Sequence, residues 1–127
     1  MRDYITLICP FENLLYTYKL SKVYAEEAVG ISVNKEGEEV RNNTLVVIPF
    51  KCICSETYKE PKEWEKLSQA NKQKNYTIRE GDTIMVNTTP SGVSSLEEIK
   101  NKYDRVYDVQ AIKRFDKVFP HWEVTCK

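Results

Sequence analysis

The chain has 127 residues, of which 41% are apolar and 30% charged, and this fits one globular domain spanning 1–127 around a single core. Lysine plus arginine matches aspartate plus glutamate, 19 against 19, which disfavours a domain that lives by gripping nucleic acid, since those carry a basic surplus. The longest apolar run, Leu45 to Pro49, is far short of the roughly 20 residues that cross a bilayer, so no membrane partner is expected.

In chain order, Met1-Arg2-Asp3-Tyr4 runs straight into a strand pattern with no signal-peptide core; the expectation is a protein that folds in a reducing cytoplasm. Asp3 to Cys9 alternates, with Ile5, Leu7 and Cys9 on one face and Tyr4, Thr6 and Ile8 on the other. Both faces are fairly apolar, which predicts a strand between layers, ended or placed at an edge by Pro10. A second strand is predicted between Tyr16 and Tyr24, continuing toward Val33 with an interruption near Glu26.

Asn34 to Asn43 is polar, aperiodic and contains Gly37, the signature of a loop. It reads either as a solvated hairpin connection or as an arm that touches a neighbour. Thr44 to Pro49 is rich in β-branched residues and reads as a strand. Pro61 suits the first position of a helix that places Trp64 and Leu67 on one face. Ser68 to Asn75 reads as a polar connection, with Lys72 and Lys74 solvated.

Tyr76-Thr77-Ile78 and Thr83-Ile84-Met85-Val86 read as two short strand segments joined by a turn at Gly81-Asp82, where glycine supplies positive φ. Asp82 is then a turn residue, not a catalytic acid. Ser94 or Ser95, with Glu97 or Glu98 three residues on, forms a capping box for a helix with an apolar stripe at Leu96, Ile99 and Tyr103. The last strands are Val106 to Ile112 and His121 to Cys126, joined by Lys113 to Pro120 with Phe115 and Phe119. In the final strand Trp122, Val124 and Cys126 share a face. Six or so strands with one or two short helices, long loops and no βαβ rhythm predict a mainly β protein, a small antiparallel barrel or sandwich.

Nothing in the pattern reads as a catalytic centre. His121 is the single histidine and has no nucleophile motif beside it. Four glycines form no phosphate-cradling loop. Cys52-Ile53-Cys54 is spaced more tightly than the two-to-four-residue gap of paired zinc ligands, and His121 with Cys126 completes no known spacing. With Cys9 these are read as free thiols, and no metal and no cofactor is expected. Aromatics two apart on strands are the usual core of a small β domain rather than a base-stacking surface.

The order of features resembles a family of phage minor capsid or head–tail connector (stopper-type) proteins encoded in prophages of Gram-positive bacteria. The pieces that carry it are Val47-Ile48-Pro49, Trp64, Tyr76-Thr77-Ile78-Arg79-Glu80-Gly81-Asp82, Tyr107-Asp108-Val109-Gln110-Ala111-Ile112 and His121-Trp122-Glu123-Val124. The family's ending is rich in glycine after the valine, where this chain has Thr125-Cys126-Lys127. The resemblance implies a structural virion protein at the head–tail junction, assembled in the bacterial host cytoplasm. Its partners would be itself in a ring of six or twelve copies, the portal-adaptor protein above, the tail terminator or tail tube below, and packaged DNA held without sequence preference.

Pro49, Trp64, Gly81, Asp82, Tyr107, Val109, Ile112, His121, Trp122 and Val124 would be its structural residues. Asn34, Lys35, Glu36, Gly37, Glu38, Glu39, Val40 and Arg41 would be the segment that meets the channel or a neighbour. The competing readings are a tail terminator ring, a small phage-encoded inhibitor acting in the host cell, and a single-strand nucleic-acid binder.

Overall fold

A computed structural model describes residues 2–27, 32–33, 39–40 and 43–127, with side chains for 2–27 and 43–127. The strands are β1 (Asp3–Phe11), β2 (Leu14–Glu27), β3 (Ser32–Val33), β4 (Glu39–Val40), β5 (Thr44–Pro49), β6 (Thr57–Tyr58), β7 (Asn75–Tyr76), β8 (Thr83–Val86), β9 (Val106–Phe115) and β10 (His121–Cys126). Three short helices accompany them: α1 (Pro61–Glu65), α2 (Gln69–Lys72) and α3 (Leu96–Lys102). Six strands close into a barrel in the order β1-β2-β5-β10-β9-β8, every neighbour antiparallel. The mainly β class expected from the sequence is therefore realised as a barrel, and closure leaves its strands no long free edge.

Alternation explains the interior. Ile5, Leu7 and Cys9 of β1, Tyr16, Tyr18 and Leu20 of β2, Val46 and Ile48 of β5, and Trp122, Val124 and Cys126 of β10 are buried in one core. The other face of β1 is apolar because it too is covered: Ile8 packs with Met85 and with Ile99 of α3 on the outside of the barrel. Each such aliphatic side chain contributes about 1.5–3 kcal/mol by leaving water. The cap of α3 forms at Ser95, whose hydroxyl accepts from the Glu98 amide at 3.2 Å.

Several expectations are corrected. Pro10 does not end β1; it pairs with Leu15, and the strand turns only at Glu12 and Asn13. Both turn residues have positive φ (47° and 66°), the geometry of the two-residue hairpin whose twist matches its strands. The irregularity in β2 lies at Lys22 (φ 62°), not near Glu26. Lys22 is an extra residue between the pairs Tyr4–Ser21 and Asp3–Val23. A bulge of this kind lets Leu20 and Val23 both reach the core.

Tyr76–Ile78 and Thr83–Val86 do not pair with each other. Asn75–Tyr76 instead pairs in parallel with Thr57–Tyr58, while β8 sits between β1 and β9. Ser68 to Lys72 is not an open connection: Ser68 accepts from the Asn71 amide and caps α2.

β2 and β5 pair only over Tyr24–Glu27 and Thr44–Val47. Beyond that they diverge, and the chain from Phe50 to Asp82 fills the opening, held to β2 by the Ser21–Ile53 bridge. This insert, carrying β6, α1, α2 and β7, plugs one end of the barrel. At the other end β3 and β4 pair antiparallel within the 28–43 stretch that links β2 to β5. The remainder of the Asn34–Arg41 segment singled out above lies outside the described residues.

Candidate functional site

The plugged end is organised around Trp64, which is fully buried. Pro61 opens α1 and sets the helix so that this ring points inward, edge-on to Phe11 and Tyr16 at centroid distances of 5.7 and 5.5 Å. Its Nε1–H donates to the Tyr18 hydroxyl (3.1 Å) and the Asn75 carbonyl (3.0 Å). Two cations lie over its ring, the Arg79 guanidinium at 4.6 Å and the Lys72 ammonium at 5.2 Å.

Lys72, expected in solvent, is 3% exposed. Its ammonium donates to the carbonyls of Glu65 and Leu67, the open C-terminal end of the short helix before it, and lies 4.3 Å over Phe11. Burial is tolerated because carbonyls and π faces replace its water.

Asp82 is the turn residue expected, and it is also the hub of a buried network. Its carboxylate accepts from the Arg79 amide (3.1 Å), the Arg79 guanidinium (2.8 Å from Nη2) and the Cys9 thiol (3.4 Å). Gly81, at φ +90°, closes the turn and donates its N–H to the Val109 carbonyl at 2.9 Å. Burial pushes the Asp82 carboxyl above its ordinary range, with Arg79 and Cys9 working against that rise. Burial also works against the Arg79 charge, but Asp82 and Glu65 outweigh it and hold the guanidinium above its ordinary value.

A shallow cleft of about 540 Å³ opens beside this network, lined by Pro10, Pro61, Glu65, Arg79 and Ile112 among others. Arg79 is the cation of this cleft, and its donors are engaged by Asp82, Glu65 (3.1 Å) and the Pro10 carbonyl (2.8 Å). It has little left to offer an anionic ligand.

Burial disfavours the thiolate form of all four cysteines. Burial raises Cys9 well above its ordinary value, and pushes Cys54 and Cys126 up to about 12. Cys52 is raised by burial too, its sulfur 3.9 Å from the Tyr76 hydroxyl. Among the described residues no group of three or more histidine, cysteine or carboxylate side chains is arranged to hold a metal.

The remaining residues singled out by sequence divide between core and surface. Trp122 is buried against Phe50 and Tyr58 (4.4 and 4.6 Å), and Val109 and Val124 are in the same core. Pro49 pairs with His121 at the end of β5. Tyr107 donates its hydroxyl to Glu27, which also holds Arg105, at the unplugged end of the barrel. Asp3 there accepts from the Asn87 side chain at 3.0 Å.

His121 is different, because it stands at the foot of the β9–β10 hairpin. Its ring lies between Phe115 (4.8 Å, 6° between planes) and Phe119 (4.9 Å, 24°). Nδ1 meets the Phe119 carbonyl, and Nε2 is 3.1 Å from the Glu123 carboxylate. That carbonyl, aided by Glu123, raises the imidazole above its ordinary 6.5.

The tip itself is apolar and open to solvent. Phe115 is 38% exposed, Phe119 45%, and Val118 entirely so. Val118 also has φ +67°, a conformation that a β-branched side chain adopts only under strain. A groove of about 370 Å³ between Pro49, Phe50, Lys51 and Val118–Pro120 runs beneath it. The tip falls in the Lys113–Pro120 connection expected from the sequence, which turns at Val118-Phe119; the further signal is an aliphatic residue where a hairpin tip calls for glycine or asparagine. Cys9 is not legible as a partner of Asp82, because only the fold brings β1 to that turn, whereas Arg79 stands three residues before Asp82 in the same turn.

A family model described as a family of unknown function (DUF6751) matches residues 12–127, so the chain belongs to that family. No curated protein and no solved structure matches it.

Proposed function

We propose that this member of the DUF6751 family is a structural protein of the phage neck. In this reading it is a stopper-type connector that forms a ring with itself, takes the portal-adaptor protein above and the tail terminator or tail tube below, and retains packaged DNA. The observation that carries the reading is where the family-like sequence pieces fall. Pro49, Val109, Trp122 and Val124 build the barrel, Trp64, Gly81 and Asp82 build its plug, and the surface left for recognition is an apolar hairpin tip rather than a catalytic cleft.

The physics supports it in two further ways. At the plug Asp82, Arg79 and Cys9 are bound to one another and Lys72 to backbone carbonyls, which stiffens a subunit. A chain of zero net charge can line a DNA channel without binding the DNA tightly. The channel-closing role stays with residues 34–41, on the sequence and on the β3–β4 pairing that brackets residues 34–38. Shortening 37–40 to a tight turn is expected to let DNA escape from particles, and normal retention would remove that role.

The deciding experiment is mass spectrometry with immunogold labelling of purified particles from the producing strain. Signal at the head–tail junction at low copy supports the connector, and its position in the neck separates stopper from tail terminator. Absence from intact particles overturns the reading in favour of an intracellular binding protein.

A further inference from the structure

Two hairpin tips stand at the plugged end of the barrel, and they are complementary. In the order β1-β2-β5-β10-β9-β8, the β1–β2 pair and the β10–β9 pair are separated by one strand on either side, so they are diametrically opposite. The registers put Phe11–Leu14 and Phe115–His121 at the same end.

One tip is a knob. Phe115, Val118 and Phe119 project from it; Lys51, Lys113 and Lys117 stand exposed around them, and the tip's one carboxylate, Asp116, is paired with Arg114 at 2.8 Å. The other tip is a socket. A hollow of about 370 Å³ is floored by Pro10, Phe11, Leu14, Leu15 and Leu96, with Leu14 41% exposed. Glu12 lines this hollow and Glu97 is the residue after Leu96 in the chain, both exposed.

We infer that the β9–β10 tip of one copy seats in the β1–β2 socket of the next, Val118 and Phe119 entering the hollow while the lysines meet Glu12 and Glu97. The occupant is a second copy because the chain itself carries both an exposed apolar tip flanked by lysines and an apolar hollow flanked by glutamates. An interface between different patches on opposite sides of a subunit is head-to-tail, and it repeats until a ring closes or a filament runs on. The contact rests on the reading of this chain as a ring subunit. Within that reading it also accounts for Val118, a strained β-branched residue wholly in solvent at a position where glycine would relax the turn.

The test uses the full chain. Val118 is replaced by the photo-crosslinking residue p-benzoylphenylalanine, and isotopically mixed protein is irradiated across concentrations up to millimolar. The expected result is a cross-link between copies that maps to residues 10–15 or 94–97. In sedimentation, Val118→Gly should weaken self-association by about tenfold or more, the equivalent of about 1.4 kcal/mol. This variant relieves the strained φ, so the loss cannot be ascribed to misfolding. Lys51→Glu with Lys117→Glu should weaken association similarly, and Glu12→Lys with Glu97→Lys in the mixed partner should restore it.

Cross-links mapping elsewhere, self-association indifferent to Val118→Gly, or a chain that stays monomeric throughout would each overturn the contact. Its failure is separable from that of the neck reading. Label at the head–tail junction with a self-contact mapped elsewhere removes only this interface. The mapped contact in a chain missing from particles removes only the neck.

Discussion

The plug around Trp64 and the tip around His121 are built from the same materials, aromatic rings with a basic side chain among them, and they are put to opposite use. At the plug the rings meet edge-on, the indole N–H has two acceptors, and Lys72 and Arg79 sit over π faces with their donors occupied. At the tip the rings stack in the open, and the most exposed residue is an aliphatic one in a strained conformation. The first arrangement stabilises the fold. The second costs stability and exposes apolar surface, the surface that our proposal assigns to the contact with a second copy.

The largest effect should come from the plug. Trp64→Ala removes a fully buried ring and leaves the Tyr18 hydroxyl and Asn75 carbonyl facing a cavity, which is expected to cost about 4 kcal/mol in urea unfolding. Trp64→Phe keeps most of the ring and separates packing from the lost N–H, a smaller loss of about 1–2 kcal/mol. Next is Arg79→Met, which strands the buried Asp82 carboxylate and should cost about 3 kcal/mol. Adding Asp82→Leu should recover a good part of that. If the double variant is as unstable as Arg79→Met alone, the network is not the source of the plug's stability and the contrast with the tip weakens.

At the tip the sign reverses. Val118→Gly removes a positive-φ penalty and should raise stability by about 1 kcal/mol, read as a higher melting temperature. The same change at a plug position can only lose packing. A stability gain paired with a loss of self-association would be the sharpest statement of the contrast.

How far the sequence disclosed this follows the range of the interactions. Alternation gave β1 and β10 and the residues that share each of their faces, because a period of two is written in neighbouring residues, and β-branched composition gave β5. The capping box of α3 and the turn at Gly81-Asp82 were legible for the same reason. Lys72 was misjudged because the carbonyls and rings that replace its water come from Glu65, Leu67 and Phe11, distant in sequence or invisible without a fold. The parallel pairing of Thr57–Tyr58 with Asn75–Tyr76 spans too much chain to announce itself locally. The tip was half legible: its phenylalanines could be seen, but the strain at Val118 is a property of the backbone.

A smaller effect tests the unplugged end, where charge rather than aromatic packing does the holding. The Arg105 guanidinium and the Tyr107 hydroxyl hold Glu27 below its ordinary 4.5, and the Asn87 side chain and Ala25 amide hold Asp3 below 3.8. A folded state with lowered carboxyl values binds protons less tightly than the unfolded chain. Their stabilisation is therefore present above those ordinary values and lost as pH falls through the lowered ones. Unfolding midpoints measured from about pH 6 to about pH 3 should fall, and Glu27→Gln should flatten part of that slope while lowering the plateau.

The smallest effect is also the most local. His121 is the chain's one histidine, so its ring protons can be followed by NMR without assignment ambiguity. Both ring nitrogens face acceptors, the Phe119 carbonyl and the Glu123 carboxylate. The neutral ring must turn a lone pair toward one of them, whereas the imidazolium satisfies both. The midpoint should thus lie above 6.5. Because the folded value is raised, the stabilisation is complete below the unfolded value and disappears as pH climbs through the folded one. Glu123→Gln should lower the midpoint part of the way, since the carbonyl that contributes most remains. A midpoint at or below 6.5 would mean that the Phe115–His121–Phe119 stack does not form in solution. The tip would then be an open loop rather than a shaped knob, and the comparison with the plug would lose its second term.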